Sequence, residues 1–183
     1  MPVTLMRHPA VDLSMQRCIG QTDIDLSAEG KSSLGFLAEQ ACSLGPDQII
    51  SSDLQRCRLL AEEIARRLNI RPVFDPIWRE INFGTWENRS WEEIRVEEAE
   101  AFADWVTDFV RVAPPGGESF AQLHERFLVA ISRIGRAGAN ILVVTHAGIM
   151  RAANATFSKI PLHRAFEYQI SYGGILHCAE KPA

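Results

Sequence analysis

No apolar stretch in this 183-residue chain approaches the ~20 consecutive residues needed to cross a bilayer. The apolar opening, Met1 to Met6, is broken at once by Arg7 and His8, too early for the core of an export signal. Basic residues are not in excess. With 19 Lys and Arg against 23 Asp and Glu, the net charge of −4 argues against a nucleic-acid binder that works through a generally basic surface. Cysteine is scarce. Cys18, Cys42, Cys57 and Cys178 are scattered, with no C-x-x-C pair, so a zinc ribbon, a dithiol redox motif and a disulfide scaffold are all disfavoured. Such thiols are expected to be reduced, as in the cytoplasm. Internal repeats and low-complexity segments are absent too.

What is present fits a globular α/β chain. The apolar fraction of 46% and charged fraction of 23% are ordinary for a packed domain, and the length suits one domain over residues 1–183. Strand and helix signals alternate. Val3 to Arg7 reads as a strand ended by Pro9. Ser27 is a good N-cap for a helix that stops at Gly45-Pro46. Gln48 to Ser51 is a second strand. After it, Leu54, Cys57, Ala61, Ile64 and Leu68 form one helical stripe. Arg71 to Phe74 is expected as a third strand, and Trp91 to about Phe109 as an acidic helix. The Ala113-Pro-Pro-Gly-Gly117 segment is a break, followed by an amphipathic helix marked by Phe120, Leu123, Phe127, Ile131 and Ile134. Asn140 to Thr145 is apolar throughout its middle, as a strand buried on both faces of a parallel sheet should be. Phe166 to Cys178 has room for two short strands.

Several familiar signatures fail on inspection. Gly30-Lys31-Ser32 ends like a P-loop, but the required earlier glycine is Asp25. His124-Glu125 begins a zincin pattern whose second histidine would be Leu128, so His124 reads as a polar position on an amphipathic helix. Gly30 to Gly35 misses Gly-x-Ser-x-Gly by one residue. Asp23-Ile-Asp25 imitates the paired aspartates of magnesium-dependent dehalogenase-type phosphatases, yet no buried apolar strand leads into it.

Four separated pieces share one logic. Arg7-His8 ends the first strand. Ser51-Ser-Asp-Leu-Gln-Arg56 runs from the second strand into a helix. Glu80 opens a loop after the third, and Val144-Thr-His146-Ala-Gly148 ends the buried strand. In an open parallel sheet, ligands bind outside the carboxyl ends of the strands, so two arginines, two histidines and one carboxylate converge there. A phosphate monoester, with ~1.5 to 2 negative charges, suits such a set. Arginine supplies paired planar donors to its oxygens.

These motifs, from Leu5-Met-Arg7-His8 through Arg79-Glu80-Ile-Asn-Phe-Gly84 to Val144-Thr-His-Ala-Gly148, resemble the histidine phosphatase (phosphoglycerate mutase-like) superfamily in content and order. Within it, Gly20-Gln-Thr-Asp23, Phe83-Gly-Thr-Trp-Glu87, Trp91-Glu-Glu-Ile94 and Pro115-Gly-Gly-Glu-Ser119 are most similar to the α-ribazole phosphatase branch, which dephosphorylates α-ribazole 5′-phosphate in cobalamin lower-ligand assembly. The resemblance implies a single three-layer α/β/α domain with a mostly parallel central sheet. It implies His8 as nucleophile and Glu80 as acid, with Arg7, Arg56 and His146 on the phosphoryl group. Gly20, Gln21 and Thr22 become candidate substrate-binding positions. It implies no metal or cofactor, since side-chain cations neutralise the phosphate, and a small-molecule phosphomonoester as partner rather than a nucleic acid or membrane. Other sugar-phosphate phosphatases, phosphoglycerate mutases and a non-catalytic phospho-ligand module are the competing readings. The short chain leaves little room for the covering insertions of a mutase. Two departures stand out: Pro9 replaces the glycine that usually follows the nucleophile, and Asp12 and Ser14 are the polar residues nearest a usual asparagine.

Overall fold

The computed structural model describes residues 3–12, 17–134 and 138–178. Strand β1 (Val3–Arg7) leads through a loop to helix α1 (Ala28–Ser43). Strand β2 (Gln48–Ser51) then feeds helix α2 (Gln55–Leu68). A short β3 (Val73–Phe74) is followed by two 3₁₀ turns, Pro76–Trp78 and Gly84–Trp86. Helices α3 (Trp91–Glu97), α4 (Ala99–Thr107) and α5 (Phe120–Arg133) precede β4 (Ile141–Thr145) and α6 (Ala147–Phe157). A 3₁₀ turn, Leu162–Glu167, and β5 (Ile175–Cys178) complete the described chain.

The sheet order is β3-β2-β4-β1-β5. All neighbours run parallel except β5, which pairs antiparallel with β1. The two-residue alternation of each strand sends its side chains to opposite layers. Val3, Leu5, Ile50, Ile141 and Val143 pack under α5 and α6, whereas Met6, Ile49, Leu142 and Val144 pack under α1 and α2. The result is the expected α/β/α sandwich with a mostly parallel sheet. It places the carboxyl ends of β1, β2 and β4 side by side.

Local chemistry sets the helix starts. Ser27 Oγ accepts from Gly30 N at 3.0 Å as the N-cap of α1. Ser90 with Glu93, and Ser119 with Gln122, form reciprocal capping boxes on α3 and α5.

Three sequence expectations need correction. The third strand is shorter than Arg71–Phe74, because only Val73 and Phe74 pair with β2; Pro72 has no N–H to give a ladder. The acidic helix is two helices, broken at Glu98 (φ −127°, ψ 44°). Glu98 instead accepts hydrogen bonds from Trp86 Nε1 and Arg89, which anchor a cluster of Trp86, Trp91, Phe102 and Trp105. The tail carries one strand, β5, and a 3₁₀ turn opened by Pro161.

Candidate active site

His8 lies one residue beyond β1. Its N–H donates to Thr145 O at 3.0 Å and its carbonyl accepts from Gly173 N at 3.3 Å, so the β1–β4 pairing continues past the strand end and fixes the backbone. The ring sits 5.2 Å, centroid to centroid, from His146 and 5.6 Å from Tyr172. His8 Nδ1 lies 2.7 Å from Pro9 O. A carbonyl only accepts, so Nδ1 carries the proton and Nε2 keeps its lone pair. Burial, then the positive charges of Arg56 and Arg7, hold His8 well below the usual histidine pKa, and it is neutral at pH 7. Pro9 thus removes an amide donor but supplies the carbonyl that sets the tautomer.

Arg56, in the first turn of α2, is 2% exposed. Its Nη2 donates to Gly20 O at 2.7 Å, its Nη1 to Thr22 O at 2.8 Å, and its Nε to His146 Nδ1 at 3.3 Å. Accepting from an arginine leaves His146 Nδ1 without a proton, so Nε2–H donates to Ser52 Oγ at 2.9 Å. His146, fully buried and flanked by Arg56, is likewise held well below the usual value. Arg7 reaches Ile170 O through Nη1 at 2.5 Å and lays its guanidinium over Tyr172 at 4.0 Å.

Glu80 comes from the loop after β3. Its Oε1 accepts from Ile81 N at 2.9 Å and Gly148 N at 3.0 Å, which brings the loop against the start of α6. Gly148 is required for that approach: a Cβ there would stand 2.1 Å from Glu80 Oε1. Arg126 braces the loop from α5. It donates to the carbonyls of Ile77, Arg79 and Glu80 at 2.8–3.1 Å and pairs with Glu118 at 2.5 Å. A bidentate Arg79–Asp53 pair ties the same loop to the β2–α2 turn and holds the Asp53 carboxyl below its usual range.

A cleft of about 230 Å³ opens over these groups, lined by Arg7, His8, Arg56 and Glu80 on one side. Gly20 also lines it, in the left-handed region at φ +51°. Gln21 and Thr22 do not line it. Gln21 N and Thr22 Oγ1 donate to Glu87 at 2.8 and 2.9 Å, and Gln21 Nε2 donates to Glu80 O at 3.0 Å, so both stand behind the wall. Asp12 is exposed, and Ser14 lies outside the described residues. Asp25 pairs with Lys31 at 2.6 Å and Asp23 accepts from Gln55 N, so the two aspartates serve separate structural ends. His124 lies on α5, half-buried, with its ring 2.8 Å from Thr156 Oγ1. Among the described residues no three His, Cys, Asp or Glu side chains cluster to hold a metal, and no helix is long and apolar enough to cross a membrane.

Sequence reading missed Arg151, Tyr172 and Phe166 in the cleft wall, and Ser52 and Arg126 behind it. Arg151 was within reach of periodicity, since it falls three and four residues after Gly148 and Ala147 on one helical face. Tyr172, in a turn, gives no such signal.

The sequence profile of the Histidine phosphatase superfamily (branch 1) matches residues 3–180. A curated relative named probable phosphoglycerate mutase GpmB, from Escherichia coli O1:K1, is 33% identical over 162 residues, 87% of this chain and 75% of that protein. The α-ribazole phosphatase structure from Shigella flexneri superimposes with a TM-score of 0.88 at 23% identity, over 97% of this chain and 89% of that one, a likeness of fold. Mycobacterial glucosyl-3-phosphoglycerate phosphatase in complex with inorganic phosphate gives a TM-score of 0.80 at 26% identity, over 96% and 88% of the two chains. With the family profile matched over almost its whole length, this chain belongs to the histidine phosphatase superfamily, branch 1.

Proposed function

We propose that the protein is a phosphomonoesterase working through a phosphohistidine on His8, with α-ribazole 5′-phosphate as substrate. The observation that carries the reaction is the state of His8. It is buried and neutral, its Nδ1 proton is held by Pro9 O, and its Nε2 lone pair is unprotonated beside two arginines. In the first step Nε2 attacks phosphorus in line. The P–O ester bond breaks, its electron pair leaves on the alcohol oxygen, and Glu80 supplies the proton. Arg7 and the N–H groups that Arg56 still has free stabilise the charge on the transferring oxygens, and His146 holds Arg56 in place through its Nε. Water then attacks the phosphohistidine and gives its proton to Glu80, and the N–P electron pair returns to His8.

The choice of α-ribazole 5′-phosphate is supported by the aromatic part of the cleft lining. Phe83, Phe120 and Phe166 with Leu123 suit a flat apolar base. The free thiols of Cys18, Cys42, Cys57 and Cys178 fit a reducing cytoplasm. The relative named as a mutase gives the second reading, in which the phosphoryl group passes to phosphoglycerate rather than water.

Rapid-quench labelling with 32P-α-ribazole 5′-phosphate tests both. An acid-labile, base-stable phosphoenzyme that decays to inorganic phosphate is expected. Transfer of the label to added phosphoglycerate in preference to water supports the mutase. Absence of any phosphoenzyme or turnover on a panel of phosphomonoesters overturns the phosphatase reading.

A further inference from the structure

Arg151 lines the cleft beside Arg7, Glu80 and Gly148, yet the proposed phosphoryl transfer leaves it without a task. It stands one turn along α6 from Ala147 and Gly148, and helical side chains lean back toward the N-terminus of their helix, here the end that carries His146. Its guanidinium lies 4.7 Å from the Phe166 ring centre. Its Nε is buried with no hydrogen-bond partner. Arg7 also has a buried Nε without a partner, but it gives Nη1 to Ile170 O, and the other arginines around the site are tied, Arg17 to Asn88. Arg79 grips Asp53, Arg126 grips Glu118, and Arg56 gives three of its donors to Gly20, Thr22 and His146. Arg151 forms no ion pair among the described residues.

Its position in the electric field is equally informative. The charges acting on Arg151 are Glu80 and Arg7. It stands with Glu80 in the cleft wall, on the side where the proposed acid would protonate a leaving alcohol. A partly buried guanidinium with unspent planar donors matches two neighbouring oxygens. The aromatic face below it fixes the plane of that fork.

We propose that Arg151 selects the alcohol half of the substrate, giving paired N–H donors to two adjacent oxygens on it, either vicinal sugar hydroxyls or a carboxylate. The inference rests on the phosphatase reading for its assay but not for its geometry. In α-ribazole 5′-phosphate the ribose diol would meet Arg151 while the base lies on the phenylalanine wall. In a phosphoglycerate-type ester the carboxylate would take the same place.

The test compares wild type with Arg151→Met, which keeps an unbranched chain against Phe166, and with Arg151→Lys, which keeps the charge but not the fork. kcat/KM is measured for α-ribazole 5′-phosphate (a diol), 3-phosphoglycerate (a carboxylate) and phenyl phosphate (neither). The expected result is that Met lowers the ratio of an oxygen-bearing ester to phenyl phosphate by about tenfold or more, carried mainly by KM, and that Lys lowers it less. A fall confined to the first ester assigns the fork to hydroxyls, and one confined to the second assigns it to a carboxylate. An equal loss on all three esters, or an unchanged ratio in both variants, overturns the proposal. Should wild type hydrolyse none of them, the phosphatase reading fails separately. Calorimetric affinities of the same three esters for wild type and the variants then supply the ratio, and an unchanged binding ratio is equally fatal. Should Arg151→Met fail to fold, Arg151→Lys alone decides by the same ratio.

Discussion

The two ends of the cleft are built in different ways. At the histidine end, His8, His146 and Arg56 are at most 4% exposed and are held by backbone atoms and by one another. The carbonyls of Pro9 and Thr145 hold His8 at the end of β1, those of Gly20 and Thr22 hold Arg56, and Arg56 with Ser52 holds the His146 ring. At the alcohol end the walls come from helix faces and loops. Arg151 leans on Phe166, which is 41% exposed and belongs to the 3₁₀ turn Leu162–Glu167. On the proposed reaction, the groups that perform the common chemical step sit at the sheet edge, and those that would meet a substrate-specific group sit on elements that can vary without disturbing the sheet.

Substitutions at the two ends should therefore fail differently. The largest effect is expected from His8→Ala, which removes the attacking nitrogen: turnover and 32P label should both vanish while near-ultraviolet circular dichroism stays that of a folded protein. Label retained in the variant would move the nucleophile elsewhere.

Glu80→Gln comes next, and its effect should depend on the leaving group. An alkoxide needs a proton to depart and a nitrophenolate does not, so the phosphorylation step should slow by ~10²–10⁴-fold for sugar phosphates and far less for p-nitrophenyl phosphate. Pre-steady-state rates decide this; equal losses on both esters would make Glu80 a positioning group.

Arg56→Ala should lower kcat/KM by ~10²–10³, about 3–4 kcal/mol, and similarly for every ester, because it serves the phosphoryl group common to all. Arg7→Ala should follow the same pattern. Selectivity between esters in either variant would blur the distinction between the two ends.

A subtler effect concerns pH. Burial lowers the pKa values of His8, His146 and, less strongly, His124. As pH falls below the unfolded value of ~6.5, the unfolded chain binds protons that the folded one refuses, so stability is full above that pH and declines on acidification. Thermal melts between pH 7.5 and 5 should show Tm falling with acid, with a shallower slope in His8→Ala. The acid limb of kcat/KM, set by free His8, should have its midpoint below 6.5. A midpoint at or above 6.5 would contradict a buried neutral nucleophile.

The smallest effect is expected at Asp25, whose exposed pair with Lys31 does not line the cleft. Asp25→Asn should change kcat/KM by less than about twofold, as surface pairs contribute little. A collapse of activity that magnesium restores would revive the paired-aspartate alternative.

Much of this comparison is legible in the chain itself, and unevenly so. Strands β1, β2 and β4 lie within a residue of where hydrophobic runs and Pro9 place them, because a strand buried on both faces leaves an unmistakable apolar string. The short β3 and the break at Glu98 are not legible. The first depends on how soon after Pro72 an edge strand can begin to pair with β2, the second on a carboxylate drawn to Trp86 and Arg89. At the site, Arg7, His8, Arg56, Glu80 and His146 declare themselves by their places after strands. Gln21 and Thr22 belong to the same recognisable segment, but their side chains turn to Glu80 and Glu87 rather than to the cleft.

What the sequence determined by itself is the order of elements, the buried faces and the residue types delivered to the strand ends, because two-residue and 3.6-residue periodicities are local and are written in each segment. What the tertiary structure alone decided is which of those groups are joined and in what state. The proton on His8 Nδ1 depends on the Pro9 carbonyl. The neutrality of both imidazoles depends on burial beside Arg56. The free fork of Arg151 depends on which carboxylates the rest of the chain has already given to other arginines. Tautomer, ionisation and unspent donors are properties of an environment assembled from distant segments, and no local pattern encodes them.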